Sequence, residues 1–162
     1  MWDAYNLRMK NNIIKVLFMF VISLMAFSCS DDDEVVVKSL EVNPITLHGQ
    51  WKLQEINGSE IPSDIYVYID FERKDQTFKL YQKQDSQLPR KITGKFDVKY
   101  DYKIGYILSG KYDYEQGKWN NEYIVTDLLE EGSMIWTVKD GDEVSKYVRV
   151  NEIPSEILGN EE

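Results

Sequence analysis

The chain has 162 residues, a length that fits one domain and is enough to bury a sizeable core. It carries 28 acidic against 19 basic residues, a formal net charge of −9. A charge of that sign repels phosphate backbones and anionic lipid, and no basic patch with interleaved aromatics occurs, so nucleic acid is a poor partner and cationic partners or neutral ligands fit better.

The first element is an N-terminal leader. Lys10 and two asparagines precede an apolar stretch from Ile13 to Phe27, broken only by Lys15 and Ser23. A basic opening, an apolar run and a small residue before a cut are the parts of a signal peptide. The uninterrupted run after Lys15 falls short of the ~20 apolar residues that span a bilayer. The opening "MKNNIIKVLFMF" is complete from Met9 onward, which predicts Met9 as the true start. Ala26-Phe27-Ser28-Cys29 resembles the lipobox of bacterial lipoproteins, in which the cysteine becomes residue one and carries acyl chains. Each buried CH₂ of such a chain adds ~0.8 kcal/mol to membrane affinity, so two or three chains make a lasting anchor. Cys29 is the single cysteine of the chain, so a disulfide within the chain has no second partner.

The acidic run "SDDDE" directly after Cys29 reads either as a solvated linker or as a sorting signal, because it resembles the export signal of surface lipoproteins in the Bacteroidota. These readings divide the chain into a signal peptide (1–28), a lipid-anchored acidic tether (29–46) and a folded domain (47–162). Removal of residues 1–28 takes away Arg8, Lys10, Lys15 and Asp3, and moves the net charge from −9 to −11.

From Leu47 onward, short alternating runs are separated by turn signals, as in an all-β barrel or sandwich. Eight strands are predicted. The first covers 49–56 and ends at Asn57-Gly58. The second, "IYVYIDF", sets Ile65, Val67, Ile69 and Phe71 on one face. The third, "TFKLYQ", turns Phe78 and Leu80 inward. The fourth, "KITGKFDVKY", sets Ile92, Gly94, Phe96 and Val98 together, with Gly94 read as a bend or bulge. The fifth covers 105–112, the sixth is "NEYIVTDL", the seventh is "SMIWTVK" with Met134, Trp136 and Val138 sharing a face, and the eighth is "SKYVRV". A single helical turn is expected at 155–158. All connections are short, so eight up-and-down antiparallel strands should close into a barrel, which removes both sheet edges.

"LHGQWKL" resembles the G-x-W motif on the first strand of lipocalins, and Arg149 in "YVRV" matches the arginine that packs across that tryptophan. The stretch from Leu47 to Val150 is also similar to the lipocalin-like domains of bacterial surface lipoproteins, through Tyr123, Val125 and Leu128 and then Tyr147 and Arg149. Topology independently sets Trp51 and Arg149 at the same end of a closed meander. The resemblance implies an outer-membrane, surface-facing lipoprotein, with a membrane as partner through Cys29.

The loops at the end away from the tether are longer, which makes that end the candidate mouth. On the inward faces, Phe71, Phe78, Phe96, Tyr123 and Trp136 either fill the barrel or line an apolar pocket. Tyr112, Tyr114 and Trp119 flank one far-end loop and are read as rim residues able to stack on sugars or anchor a protein. Tyr66, Tyr68 and Tyr81 are also expected on the outside. The sequence "KYDY" occurs twice, at 99–102 and 111–114, and the two copies should lie at opposite ends of the barrel.

Catalysis is not expected. Cys29 is committed to the anchor, the lone histidine His48 sits at the start of the first strand, and no base is placed to activate a serine. Asp140, Asp142 and Glu143 lack the ligand spacing of a known calcium loop and read as a hairpin turn, so no metal or cofactor is predicted. The expected function is a binding module for a small apolar or amphipathic ligand. The alternative is an interaction or assembly protein whose barrel is a scaffold for protein or glycan contacts.

Overall fold

The computed structural model describes residues 38–83, 88–114 and 117–159. The leader, Cys29, the acidic run and the early part of the tether lie outside the described residues. Among the described residues, nine strands form one sheet: β1 (Gly49–Ile56), β2 (Ser59–Glu60), β3 (Tyr66–Glu72), β4 (Thr77–Lys83), β5 (Arg90–Asp101), β6 (Gly105–Tyr112), β7 (Tyr123–Thr126), β8 (Ser133–Val138) and β9 (Val144–Val150). All pairings are antiparallel. The order β1-β3-β4-β5-β6-β7-β8-β9 is closed by pairing of β1 with β9, which makes an eight-stranded up-and-down barrel. β2 is an extra strand, paired with the end of β1 through Glu55–Glu60 and Ile56–Ser59. Asn57 and Gly58 have φ of 51° and 75°, the pair of positive values that a two-residue hairpin turn demands.

The described part of the tether is built into the domain. The Leu40 amide donates to the Leu128 carbonyl at 2.7 Å, and Val42 and Leu47 are buried. Pro44 opens a one-turn helix, α1 (Pro44–Leu47), capped by Asn43, whose Oδ1 accepts from the amides of Ile45 and Thr46. Pro fits the first helical position because no intrahelical partner awaits its missing N–H.

One end of the barrel, the base, is packed solid. Trp51, Phe71, Phe78, Leu47, Leu108, Leu128 and Met134 are the largest side chains sealed from solvent. Burying a side chain of this kind stabilises the fold by about 1.5–3 kcal/mol. Phe71 meets Phe96 edge to face at 4.8 Å. A second, smaller cluster lies outside the barrel. There Tyr68, Tyr81 and Ile153 are buried together, with Ile157 and Leu158 of α2 (Ser155–Leu158) against them. Tyr68 and Tyr81 are therefore covered by the C-terminal segment, where the sequence pattern alone set them on the outside.

Pairing is irregular at one point of the barrel and regular at another where a bend was expected. The register of β1 against β9 shifts between Leu53 and Glu55, so one extra residue returns Ile56 to the inner face. Gly94, expected to mark a bend or bulge, is paired on both sides without a register shift. Its glycine is required because a Cβ there would run into the Lys111 carbonyl.

Candidate functional site

The end of the barrel opposite the chain's entry is hollow. Two seams are responsible. β1 pairs with β3 only from Gly49 to Lys52, after which β1 turns away to pair with β2. β6 pairs with β7 only from Tyr106 to Leu108, and above that point the chain before β7 lies along β6 instead. The first gap is flanked by residues 61–65, tied by the Ile61 amide to the Gln54 carbonyl at 3.1 Å. Trp119 enters the second. The result is a cavity of about 550 Å³ at the mouth. Ligand pockets fall within roughly 300–1,000 Å³.

The floor is aromatic. Trp136 stands 4.5 Å from Tyr147 and 5.1 Å from Tyr123 between ring centroids, and Trp119 is 6.0 Å from Tyr123. The wall on the β1–β3–β4 side is aliphatic, formed by Leu53, Val67, Ile69 and Leu80. Ser145 is the one buried polar residue among those described, and it lines the cavity. Burial pushes the Tyr147 hydroxyl well above the usual tyrosine range, helped by Tyr123 and Glu143. The Tyr123 hydroxyl is also raised, chiefly by burial, against the opposing effect of a hydrogen bond to Asn121. Both groups stay protonated at neutral pH and offer a donor as well as an acceptor.

The residues singled out in the sequence separate into layers. Tyr123 and Trp136 line the cavity. Phe71, Phe78 and Phe96 do not: they lie in the packed core, at most 3% exposed. Of the expected rim group, Tyr114 is exposed and stacks on Tyr112 at 5.4 Å. Tyr112 itself faces inward toward Phe78. Trp119 also turns in, 5.1 Å from Phe78, so these two line the cavity rather than an outer contact surface. Trp119 fits only because residue 110 is glycine, since a Cβ there would overlap the indole. The Tyr100 and Tyr102 copy of "KYDY" lies at the base and is exposed, away from the Tyr112 and Tyr114 copy.

Trp51 and Arg149 are directly paired across β1 and β9, with the guanidinium 4.2 Å from the indole ring. Arg149 Nη2 donates to the Thr46 carbonyl at 2.9 Å and Nη1 to the His48 carbonyl, while Trp51 Nε1 donates to the Leu47 carbonyl at 2.8 Å. Gly49, at φ 114°, leaves the space this guanidinium occupies. His48 is satisfied, its Nδ1 donating to the Phe71 carbonyl at 2.8 Å.

Tyr147 and Ser145 were missed as cavity residues, although they share the alternation of "SKYVRV" with Arg149 and that parity could have revealed them. Trp119 had no such signal, because it lies outside any strand.

A second depression, of about 450 Å³, lies between β5, β6 and the segment before β7, and Lys95, Lys99, Lys111 and Lys118 gather around it. Among the described residues, no group of three or more His, Cys, Asp or Glu is placed to hold a metal ion. No helix among them is long and apolar enough to cross a membrane.

The class that this geometry defines is a closed eight-stranded barrel with a solid base and a ligand-sized cavity at the mouth. Comparison with known proteins adds no nearer relative: the chain has no significant match among family models, curated proteins or solved structures.

Proposed function

We propose that the protein is a lipocalin-like binding module, anchored to a membrane through acyl chains on Cys29, that holds a small apolar or amphipathic ligand without transforming it. The observation that carries the reading is the mouth cavity of about 550 Å³ with its floor of Trp119, Tyr123, Trp136 and Tyr147. A packed barrel used only as a scaffold has no need for such a space, since voids lined by large side chains forfeit contacts. The anchor, the outer-membrane location and the absence of catalysis belong to this proposal and rest on the lipobox, the acidic run and the inventory of reactive groups in the sequence.

Titration of the full-length protein with 1-aminoanthracene, a neutral fluorescent apolar probe, tests it. Saturable binding at one site, lost in Leu80→Trp, supports the reading. Binding that does not saturate, or that is unchanged in Leu80→Trp and in the rim variant Ile61→Trp, contradicts it.

One observation favours the reading as an interaction protein. Tyr100, Tyr102 and Ile104 are 68%, 80% and 40% exposed around the β5–β6 turn. A partner that used this turn would be lost on Tyr102→Ser while 1-aminoanthracene binding stayed intact.

A further inference from the structure

The charge around the mouth cavity narrows the chemistry of its occupant, given the binding reading above. Among the described residues, its lining contains no lysine, arginine or histidine. It does contain two carboxylates, Glu60 of β2 and Glu143 just before β9. Neither makes an ion pair or a side-chain hydrogen bond among the described residues. Their two turns are tied together: the Val144 amide donates to Asn57 Oδ1 at 2.8 Å, and the Asn57 amide donates to the Val144 carbonyl at 2.7 Å.

The same cavity is lined by the rings of Trp136, Tyr123, Tyr147 and Trp119, which contact one another. Aromatic faces carry negative potential and attract cations, most strongly where water is excluded. A carboxylate ligand at the same place would meet two like charges with no counter-charge in the lining, and burying an unpaired charge is costly. The gathered lysines line the other depression, which shares only Trp119 and Asn121 with the cavity.

We infer that the cavity takes an amphipathic organic cation, its apolar part against Leu53, Val67, Ile69 and Leu80 and its ammonium group among the aromatic rings and the carboxylates of Glu60 and Glu143. The class includes quaternary ammonium compounds and long-chain amines. The aliphatic wall supplies affinity for the tail, and the rings and acids supply the choice of head group.

Calorimetric titration of the full-length protein with octyltrimethylammonium, 1-octanol and octanoate, all below micelle-forming concentrations, tests this. The tail is the same in all three, so differences report the head group. The cation should bind about tenfold or more tighter than the alcohol, with octanoate weakest. In Glu60→Gln/Glu143→Gln the cation should lose about tenfold while the alcohol is unchanged. If the double variant does not fold, added salt is the substitute: it should weaken the cation and leave the alcohol alone. Octanoate binding as tightly as the cation overturns the inference, as does equal binding of all three, which leaves the binding module standing. Binding of none of the three removes both.

Discussion

Arg149 is held by an indole ring and two backbone carbonyls at once, and those carbonyls belong to α1 and the residue after it. One side chain thus links the last strand, the first strand and the segment that covers the base. Lysine at this position keeps the charge and loses the planar fork that reaches two acceptors. Because Arg149 is partly exposed, its contribution falls at the low end for such contacts. Arg149→Lys is expected to lower unfolding free energy by about 1–2 kcal/mol, measured by urea denaturation. A change within about 0.3 kcal/mol would remove this link from the account.

Tyr147 makes a prediction in pH. Its folded-state pKa is raised by burial. An unfolded tyrosine ionises near pH ~10 while the buried one keeps its proton, so the folded state then binds more protons and stability falls as pH rises above that value. The limiting slope from this group is about 1.4 kcal/mol per pH unit. Tyr147→Phe should lose less stability than the wild type between pH 9 and 11, seen as urea midpoints that converge as pH rises. Parallel pH dependence in the two proteins would contradict the burial of this hydroxyl.

Among the elements, the two terminal segments do work that strand patterns do not announce. The C-terminal segment buries Ile153 against Tyr68 and Tyr81 on the outer face of β3 and β4. Ile153→Ala should cost about 2–3 kcal/mol and lower the melting temperature, with Tyr68 and Tyr81 newly open to tyrosine-specific modification. A melting temperature equal to wild type would show that the segment only rests on the barrel. The eight barrel strands were legible because period-two alternation is strong in "IYVYIDF" and "KITGKFDVKY", and because Asn57-Gly58 announces a tight turn. Within residues 38–47 the helical turn at Pro44–Leu47 was not legible, since four residues are too few to show a period. The inward turn of Trp119 escaped for a different reason: its place depends on a contact with Gly110 that only the closed barrel creates.

At the scale of the whole molecule, packing changes from one end of the barrel to the other. The base is closed by α1, Trp51 and Arg149 and filled by phenylalanines, whereas the mouth is widened by the seams between β1 and β3 and between β6 and β7. Alternation told which residues face inward but not at which level of the barrel each lies. Phe71, Phe78 and Phe96 therefore looked equivalent to Tyr123 and Trp136 in the sequence, while the structure gives the first three to the core and the last two to the cavity.

The most direct test of a ligand-holding mouth is native mass spectrometry of the purified full-length protein, compared with the same sample denatured so that any covalent modification is told apart from a bound molecule. The wild type should carry a non-covalent adduct of one small molecule per chain, absent from Leu80→Trp. Folded masses that equal the denatured masses in both proteins, with no adduct lost on denaturation, would contradict the account.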